Sequence, residues 1–224
     1  MKSGFVFQTE RSCYNCPMYE IELKAHVYDR ENLVRTLNSF AGFRGTLSKT
    51  DRYWSLGGAG QKDAAHGAAA KQNAPSVRIR CERIEADGEK SVTRTIVTVK
   101  QKNIVPTHTQ GNARDSLEVN DEKEFTVSDA GAFEDFITQA GFSPVLTKRK
   151  TCMQWRHENI LIELCTVEHL GDFLELEILS PECTAAHVKT ARIQLENLLK
   201  KCNIPLAQIE PMYYSELLQR INEV

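Results

Sequence analysis

The chain has 224 residues, 41% hydrophobic and 26% charged, with a formal charge of -2 from 28 basic and 30 acidic side chains. This is the composition of a globular protein large enough to bury a substantial core in a single domain. It excludes a disordered chain, and its near-balanced charge excludes global steering toward nucleic acid.

Residues 1–17 read as an N-terminal extension without periodicity, ahead of a single domain over 18–224. Alternation begins at Tyr19: Glu20, Glu22, Lys24 and His26 share one face of a strand, and Ile21, Leu23, Ala25 and Val27 the other. A helix follows, capped by Asp29, with Leu33, Leu37 and Phe40 at helical spacing and Gly42 as its stop. Asp51–Leu56 reads as a strand. Residues 57–76, rich in Gly, Ala, Gln and Lys, read as a flexible insertion. Strands resume at Val77–Arg83 and Thr93–Lys102 around a turn at 86–89, and residues 103–117 read as loop. Glu122–Val127 alternates again and leads to a second helix, capped by Ser128 or Asp129, with Phe133, Phe136 and Ile137 on its apolar stripe and Gly141 at its end. Val145–Lys150, Ile160–Cys165 and Phe173–Leu179 complete the strands, with a hairpin at 157–159 returning Met153–Arg156 to the second of these. Ser180-Pro181 marks a helix start, with Ser as cap and Pro at the first position, and that helix runs to about Cys202. A short helix over Tyr213–Ile221 closes the chain. The unit Glu20-x-Glu22, helix, Ala41-Gly42-Phe43 echoes Glu122-x-Glu124, helix, Ala140-Gly141-Phe142, as an internal duplication would. The class is α+β.

Like charges recur at i and i+2 on these strands: Arg78 and Arg80, Lys148 and Lys150, Glu122 and Glu124, Glu175 and Glu177, with Lys100 opposing the aliphatic face of its strand. Such pairs lie ~6.5–7 Å apart on one side of a strand and repel each other. Acidic pairs suit a hard divalent cation, Mg²⁺ or Mn²⁺, between carboxylates. Basic pairs suit several phosphates gripped together. Both in one chain describe a metal–triphosphate site. Tyr53 and His26 are secondary candidates for substrate contact, with packing roles as the simpler reading. Arg149 points away from the charged face.

Seven cysteines, at 13, 16, 81, 152, 165, 183 and 202, are an odd and scattered set that argues against a disulfide framework and for a reducing compartment. Cys13 and Cys16 make half a zinc site with no second pair to complete it. No stretch approaches transmembrane length, and Phe5-Val6-Phe7 is too short for a signal-peptide core, so a soluble cytoplasmic protein is expected.

In order along the chain, Glu20-x-Glu22-x-Lys24, Asp51-Arg-Tyr53, Arg78-x-Arg80, Thr98-Val-Lys100, Glu122-x-Glu124, Lys148-Arg-Lys150 and Leu170-Gly171-Asp-Phe173-Leu-Glu175-Leu-Glu177 resemble the motifs of the CYTH superfamily, the triphosphate tunnel metalloenzymes. Tyr214-Ser215-Glu216-Leu217-Leu218 resembles the ending of its class IV adenylyl cyclases. The resemblance implies a closed antiparallel eight-stranded β-barrel with flanking helices. It implies Mg²⁺ or Mn²⁺ on Glu20, Glu22, Glu175 and Glu177, and phosphates on Lys24, Arg78, Arg80, Lys100, Lys148 and Lys150. Lys24, Glu122 and Glu124 are the implied catalytic groups. Two departures stand out: Cys165 where an acidic residue is usual, and Lys150 where Arg is common. The implied activity is cyclisation of ATP to cyclic AMP and pyrophosphate. The alternatives are hydrolysis of a triphosphate and non-catalytic binding of nucleotide or polyphosphate. The partner is a triphosphate, with neither nucleic acid nor membrane, and the chain acts as a monomer or homodimer.

Overall fold

Period-two alternation and β-branched content produce eight strands: β1 Tyr19–His26, β2 Gly42–Leu56, β3 Ser76–Glu85, β4 Val92–Gln101, β5 Glu118–Val127, β6 Phe142–His157, β7 Ile160–Val167 and β8 Gly171–Ser180. Among the described residues, four α-helices accompany them: α1 Arg30–Phe40, α2 Ala130–Gln139, α3 Ala185–Lys201 and α4 Tyr214–Asn222. The computed structural model describes residues 19–56, 76–85, 91–101, 118–182 and 184–222, with the backbone course alone for 100–101, 118–122 and 222. The predicted extension, residues 57–75 of the predicted 57–76 insertion, the 86–89 turn, the 103–117 loop, and Cys13, Cys16 and Cys183 lie outside the described residues, while Ser76, placed in that insertion, opens β3.

The strands form one antiparallel sheet in the order β1-β5-β4-β3-β2-β6-β7-β8. β1 is partnered on both sides, by β8 along residues 19–26 and by β5 along residues 19–22. The two echoing units are both strand–helix–long strand. Their equivalents pair with each other, β1 with β5 and β2 with β6.

β2 is far longer than the predicted Asp51–Leu56, and β6 runs the predicted Val145–Lys150 and Met153–Arg156 together as one strand. They pair along almost their whole lengths, with register shifts at Phe43/Gly45 and Tyr53/Trp54. Gly45 has φ 135°, a conformation that absorbs the first shift without a Cβ clash. The residues before Asp51, Thr46–Thr50 among them, become strand by pairing with Arg149–Met153 of β6.

Helix starts follow capping chemistry. The Asp29 and Asp129 carboxylates accept from the backbone N–H of Asn32 and Ala132 at 3.1 and 3.0 Å. The Ser180-Pro181 start is corrected: α3 begins four residues after Pro181, capped by Thr184, while the Ser180 hydroxyl closes a local turn on Glu182. Gly42 is also corrected from helix stop to first residue of β2. Gly141, at φ 93°, does end α2. Phe136, placed on the apolar stripe, is 65% exposed, because α2 lays Ile137 and Phe133 on the sheet instead.

The main core lies on the outer face of β1, β6, β7 and β8, where Ile21, Leu23, Ile162, Leu164, Leu174 and Leu176 pack under Leu33 and Leu37 of α1 and Leu195, Leu198 and Leu199 of α3. Each such side chain contributes roughly 1.5–3 kcal/mol of burial. The alternate residues of the same strands carry the charges to the opposite, inner face.

Candidate active site

The inner face presents Glu20, Glu22 and Lys24 from β1, Lys49 and Asp51 from β2, Arg78, Arg80 and Glu82 from β3, Lys148 and Lys150 from β6, Glu163 from β7, and Glu175 and Glu177 from β8. Among these, Glu20, Lys24, Lys49, Asp51, Arg78, Lys148, Lys150, Glu163 and Glu175 are all buried. Charges that lose water must be matched, and the inner face matches them across strands.

Three networks result. Asp51, wholly buried, accepts two hydrogen bonds from the Arg80 guanidinium at 2.7 and 2.9 Å and meets Lys148 Nζ at 3.0 Å. Burial pushes the Asp51 carboxyl up, but Arg80 and Lys148 outweigh it and hold it well below the usual carboxylate range. The same pairing raises Arg80 against its own burial.

In the second network Glu163 accepts from Lys49 Nζ at 2.7 and 2.8 Å and from Gln154 at 3.0 Å, with Lys150 Nζ at 3.5 Å. Lys150 donates to both Glu175 oxygens at 2.8 and 2.6 Å, and Tyr214 Oη donates to Glu175 Oε1 at 2.8 Å. Burial opposes ionisation of Glu163 and Glu175, but Lys49 and Lys150 outweigh it at Glu163, and chiefly Lys150 at Glu175, so both carboxyls titrate below the ordinary range. Lys150 is correspondingly raised, with Glu175 and Glu163 overcoming its burial. Lys49 moves the other way: burial, reinforced by Lys150 and Arg80, outweighs Glu163 and lowers it. The short Lys49–Glu163 contacts are nonetheless those of an ion pair. Glu82 joins Lys49 at 3.8 Å to Arg94.

In the third network Arg78 donates to Thr98 at 2.9 Å and to Glu124 at 3.1 Å, and Thr98 donates to Glu124 at 3.0 Å. The opposed motif residues of β4 and β5, Lys100 and Glu122, are direct register partners, with side chains outside the described residues.

β1 and β8 set Glu22 directly opposite Glu177, and Lys24 opposite Glu175. Like-charged cross-strand partners are unfavourable alone and are a hard-cation arrangement, so this donor set fits a divalent metal. Glu175, one of the four expected metal ligands, is engaged by Lys150 and Tyr214. Among the described residues, the cluster whose three ligand atoms lie within 4.8 Å of one another is Cys152, Glu163 and Cys165. Its sulfurs are consumed by a disulfide between Cys152 and Cys165. The cysteine pattern argued against a disulfide framework; the structure forms this one bond, because register Cys152↔Cys165 brings together two residues thirteen apart in sequence.

Tyr214 is the largest addition. α4 inserts it into the inner face, with its ring 5.5, 5.2 and 5.9 Å from the ammonium groups of Lys24, Lys148 and Lys150. Tyr213 lies 5.7 Å from Lys24, and Tyr53 5.7 Å from Lys148. His26 pairs with Glu210 at 3.1 Å. Arg149 faces away as predicted, pairing with the exposed Glu168. Lys49, Asp51, Glu82 and Glu163 were absent from the predicted site because a search for paired like charges passes over mixed sets. The i, i+2 series Lys49, Asp51, Tyr53 was the available signal.

No curated protein is significantly similar to the chain. Solved structures share its fold at low identity. PH1819 of Pyrococcus horikoshii is 22% identical with a TM-score of 0.66, over 90% of this chain and 98% of that one. A Vibrio parahaemolyticus protein described as a candidate adenylate cyclase is 13% identical with a TM-score of 0.66, over 90% and 98%. HpAC1 of Hippeastrum, a candidate adenylyl cyclase described as having a dominant triphosphatase activity, is 15% identical with a TM-score of 0.51, over 90% and 93%. The model of the CYTH domain matches residues 18–214. Proteins with this domain act on triphosphates and in general use divalent metal ions. With the family model spanning nearly the whole chain and the charged inner face built from its strands, this protein belongs to the CYTH domain family.

Proposed function

We propose that the sheet, with β1 partnered on both sides, works as a closed tunnel in which the chain binds a nucleoside triphosphate and acts on its phosphoanhydride linkage, ATP cyclisation being the first reading. The observation that carries it is the convergence of Lys24, Lys148, Lys150, Arg78 and Arg80 on one buried face. Buried cations held by carboxylates are preorganised for an anion: a triphosphate takes over the contacts now made by Asp51, Glu163 and Glu175, without the lysines having to be gathered from water. Lys148 and Lys150, two residues apart, span neighbouring phosphates, while the Arg80 fork suits two oxygens of one phosphate. Tyr213, half-buried beside Lys24, offers aromatic surface to a base, which favours a nucleotide over bare polyphosphate.

Glu20, Glu22, Glu175 and Glu177 would hold the Mg²⁺ or Mn²⁺ ion, Glu175 by exchanging its contacts with Lys150 and Tyr214 for the metal. When bound, the metal supplies charge neutralisation and polarisation of phosphate oxygens. Lys24 and the pair Glu122 and Glu124 are the groups assigned to proton handling and orientation, and Lys100 adds a phosphate contact. In cyclisation the ribose 3′-oxygen attacks the α-phosphorus and pyrophosphate leaves. In hydrolysis, the second reading, a water attacks the γ-phosphorus; the same cations serve both, and the grip on the phosphates favours neither. The near-neutral charge gives no long-range pull toward nucleic acid, and no helix among the described residues is long and apolar enough to cross a membrane.

Incubation with ATP or inorganic tripolyphosphate, with Mg²⁺ or Mn²⁺, and separation of the products tests this. Cyclic AMP with pyrophosphate supports cyclisation, and ADP or pyrophosphate with phosphate supports hydrolysis. Binding without turnover leaves a non-catalytic binder; no binding sinks the proposal. Joint replacement Glu20→Gln and Glu22→Gln should abolish metal-dependent turnover while leaving metal-free tripolyphosphate binding intact.

A further inference from the structure

We propose that the Cys152–Cys165 pair is a reversible redox latch that sets how tightly the inner face holds its anion. The proposal rests on the anion-binding reading above and adds its regulation. Cys152 of β6 and Cys165 of β7 are direct cross-strand partners joined as a disulfide, 2% and 0% exposed. Each lies two residues beyond a charged member of the second network, on the same face: Cys152 after Lys150, and Cys165 after Glu163. Cys165 Sγ is 3.8 Å from Glu163 Oε2. On its other side the bond packs in an apolar cluster with Phe173 and Tyr214. Tyr214 in turn donates to Glu175 and borders Lys24, Lys148 and Lys150. The cross-link therefore sits between the ion pairs of the charged face and the aromatic side chain that α4 lays over them.

Two unbonded sulfurs need more room than a bonded pair, and this site is fully packed. Reduction must part β6 from β7 or turn the two side chains. Either movement reaches Lys150 and Glu163 through their strands, and Tyr214 through the apolar cluster. The oxidised state is the preorganised one and binds the anion more tightly.

The chemistry closes with a peroxide as oxidant. One cysteine, as thiolate, attacks a peroxide oxygen and breaks the O–O bond, leaving a sulfenic acid and, after protonation, one water. The second thiolate attacks that sulfur and expels hydroxide, which leaves as the second water. Two electrons pass from the sulfurs to the peroxide, and both thiol protons end in water. A dithiol reverses the step by exchange, becoming a cyclic disulfide while its protons pass to Cys152 and Cys165. Cys81 and Cys202 remain thiols, with burial pushing Cys202 up to about 11, and they report on off-site oxidation.

Native protein treated with hydrogen peroxide is compared with protein treated with dithiothreitol, both then titrated with inorganic tripolyphosphate without metal. Non-reducing peptide mapping should show a Cys152–Cys165 linked peptide in the first sample alone. The dissociation constant should be about fivefold or more higher in the second, as expected when preorganisation is lost. In the double variant Cys152→Ala, Cys165→Ala, the two treatments should give the same constant; if that variant does not fold, the native pair of samples decides the matter. Equal constants in the two native states, or peroxide treatment that yields no linked peptide, would overturn the latch. Absence of binding in both states would instead overturn the function proposed above, and the latch with it.

Discussion

Behind β7 and β8 the outer face is closed: Ile162, Leu164, Leu174 and Leu176 are wholly buried under the helices. Behind β4 and β5 it is half open: Val99 and Phe125 remain 37% and 47% exposed beside α2. The inner faces differ in the same sense. The first wall carries Glu163, Glu175 and Lys150 with side chains nearly inaccessible, whereas Glu124 of the second keeps a fifth of its side chain in water. A buried ion pair is stable only with well-fixed geometry. The wall backed by packed helices can hold such pairs, and the wall backed, among the described residues, by the 10-residue α2 carries a pair that water still reaches. The tight half of the site is built on the stiff half of the sheet.

Four measurements break or sharpen this contrast. Trp155 is wholly buried behind the first wall and donates to Asn38 at 2.8 Å. Trp155→Ala should lower stability by about 3–5 kcal/mol in denaturant unfolding. Phe136→Ala, on the open side, should stay within about 0.5 kcal/mol. Similar losses would erase the distinction between the walls.

Removing Glu163 leaves Lys49 buried without its main counter-charge. Glu163→Ala should destabilise by roughly 3–5 kcal/mol. Glu124→Ala, where water can compensate Arg78, should cost about 1.5 kcal/mol. The reverse order would show that burial of the pair does not decide its role.

Acid titration reads the same network. Asp51, Glu163 and Glu175 have carboxyls held below their unfolded values, so their stabilisation is present above a pH of about 4 and is lost as pH falls toward their folded values. Lys150 is raised, so its contribution persists through neutral pH and is lost only on passing well above its unfolded value of about 10.4. Melting temperature should be flat near neutrality and fall below pH about 4, less steeply in Glu163→Ala. The smallest effect belongs to the exposed Arg149–Glu168 pair, where Glu168→Ala should change stability by no more than about 1 kcal/mol.

Much of this was legible in the chain. Asp29 and Asp129 announced their helices because capping is local. Glu20, Glu22 and Lys24 announced a charged strand face because side chains alternate strictly. The start of α3 was misread because Ser-Pro is a turn signal as well as a helix signal, and Thr184 competes for the cap. The lengths of β2 and β6 were hidden because each is extended by pairing with the other. Lys49 and Glu163 were passed over as site residues because each belongs to a strand whose partner charge lies 114 residues away.

The sequence by itself determined which residues of its legible strands share a face, Glu20, Glu22 and Lys24 among them, since a strand's period of two leaves no freedom once one face must be buried. It also determined the like charges that recur at i and i+2 on that face, the pattern from which the metal–triphosphate reading grows. Only the tertiary structure decided how those charges are matched. Asp51 holds Arg80 and Lys148, Lys150 stands between Glu163 and Glu175, Tyr214 closes over them, and Cys152 meets Cys165. These are contacts between strands and helices distant in the chain, chosen by register and curvature, and nothing in the local pattern encodes a partner that only folding brings near.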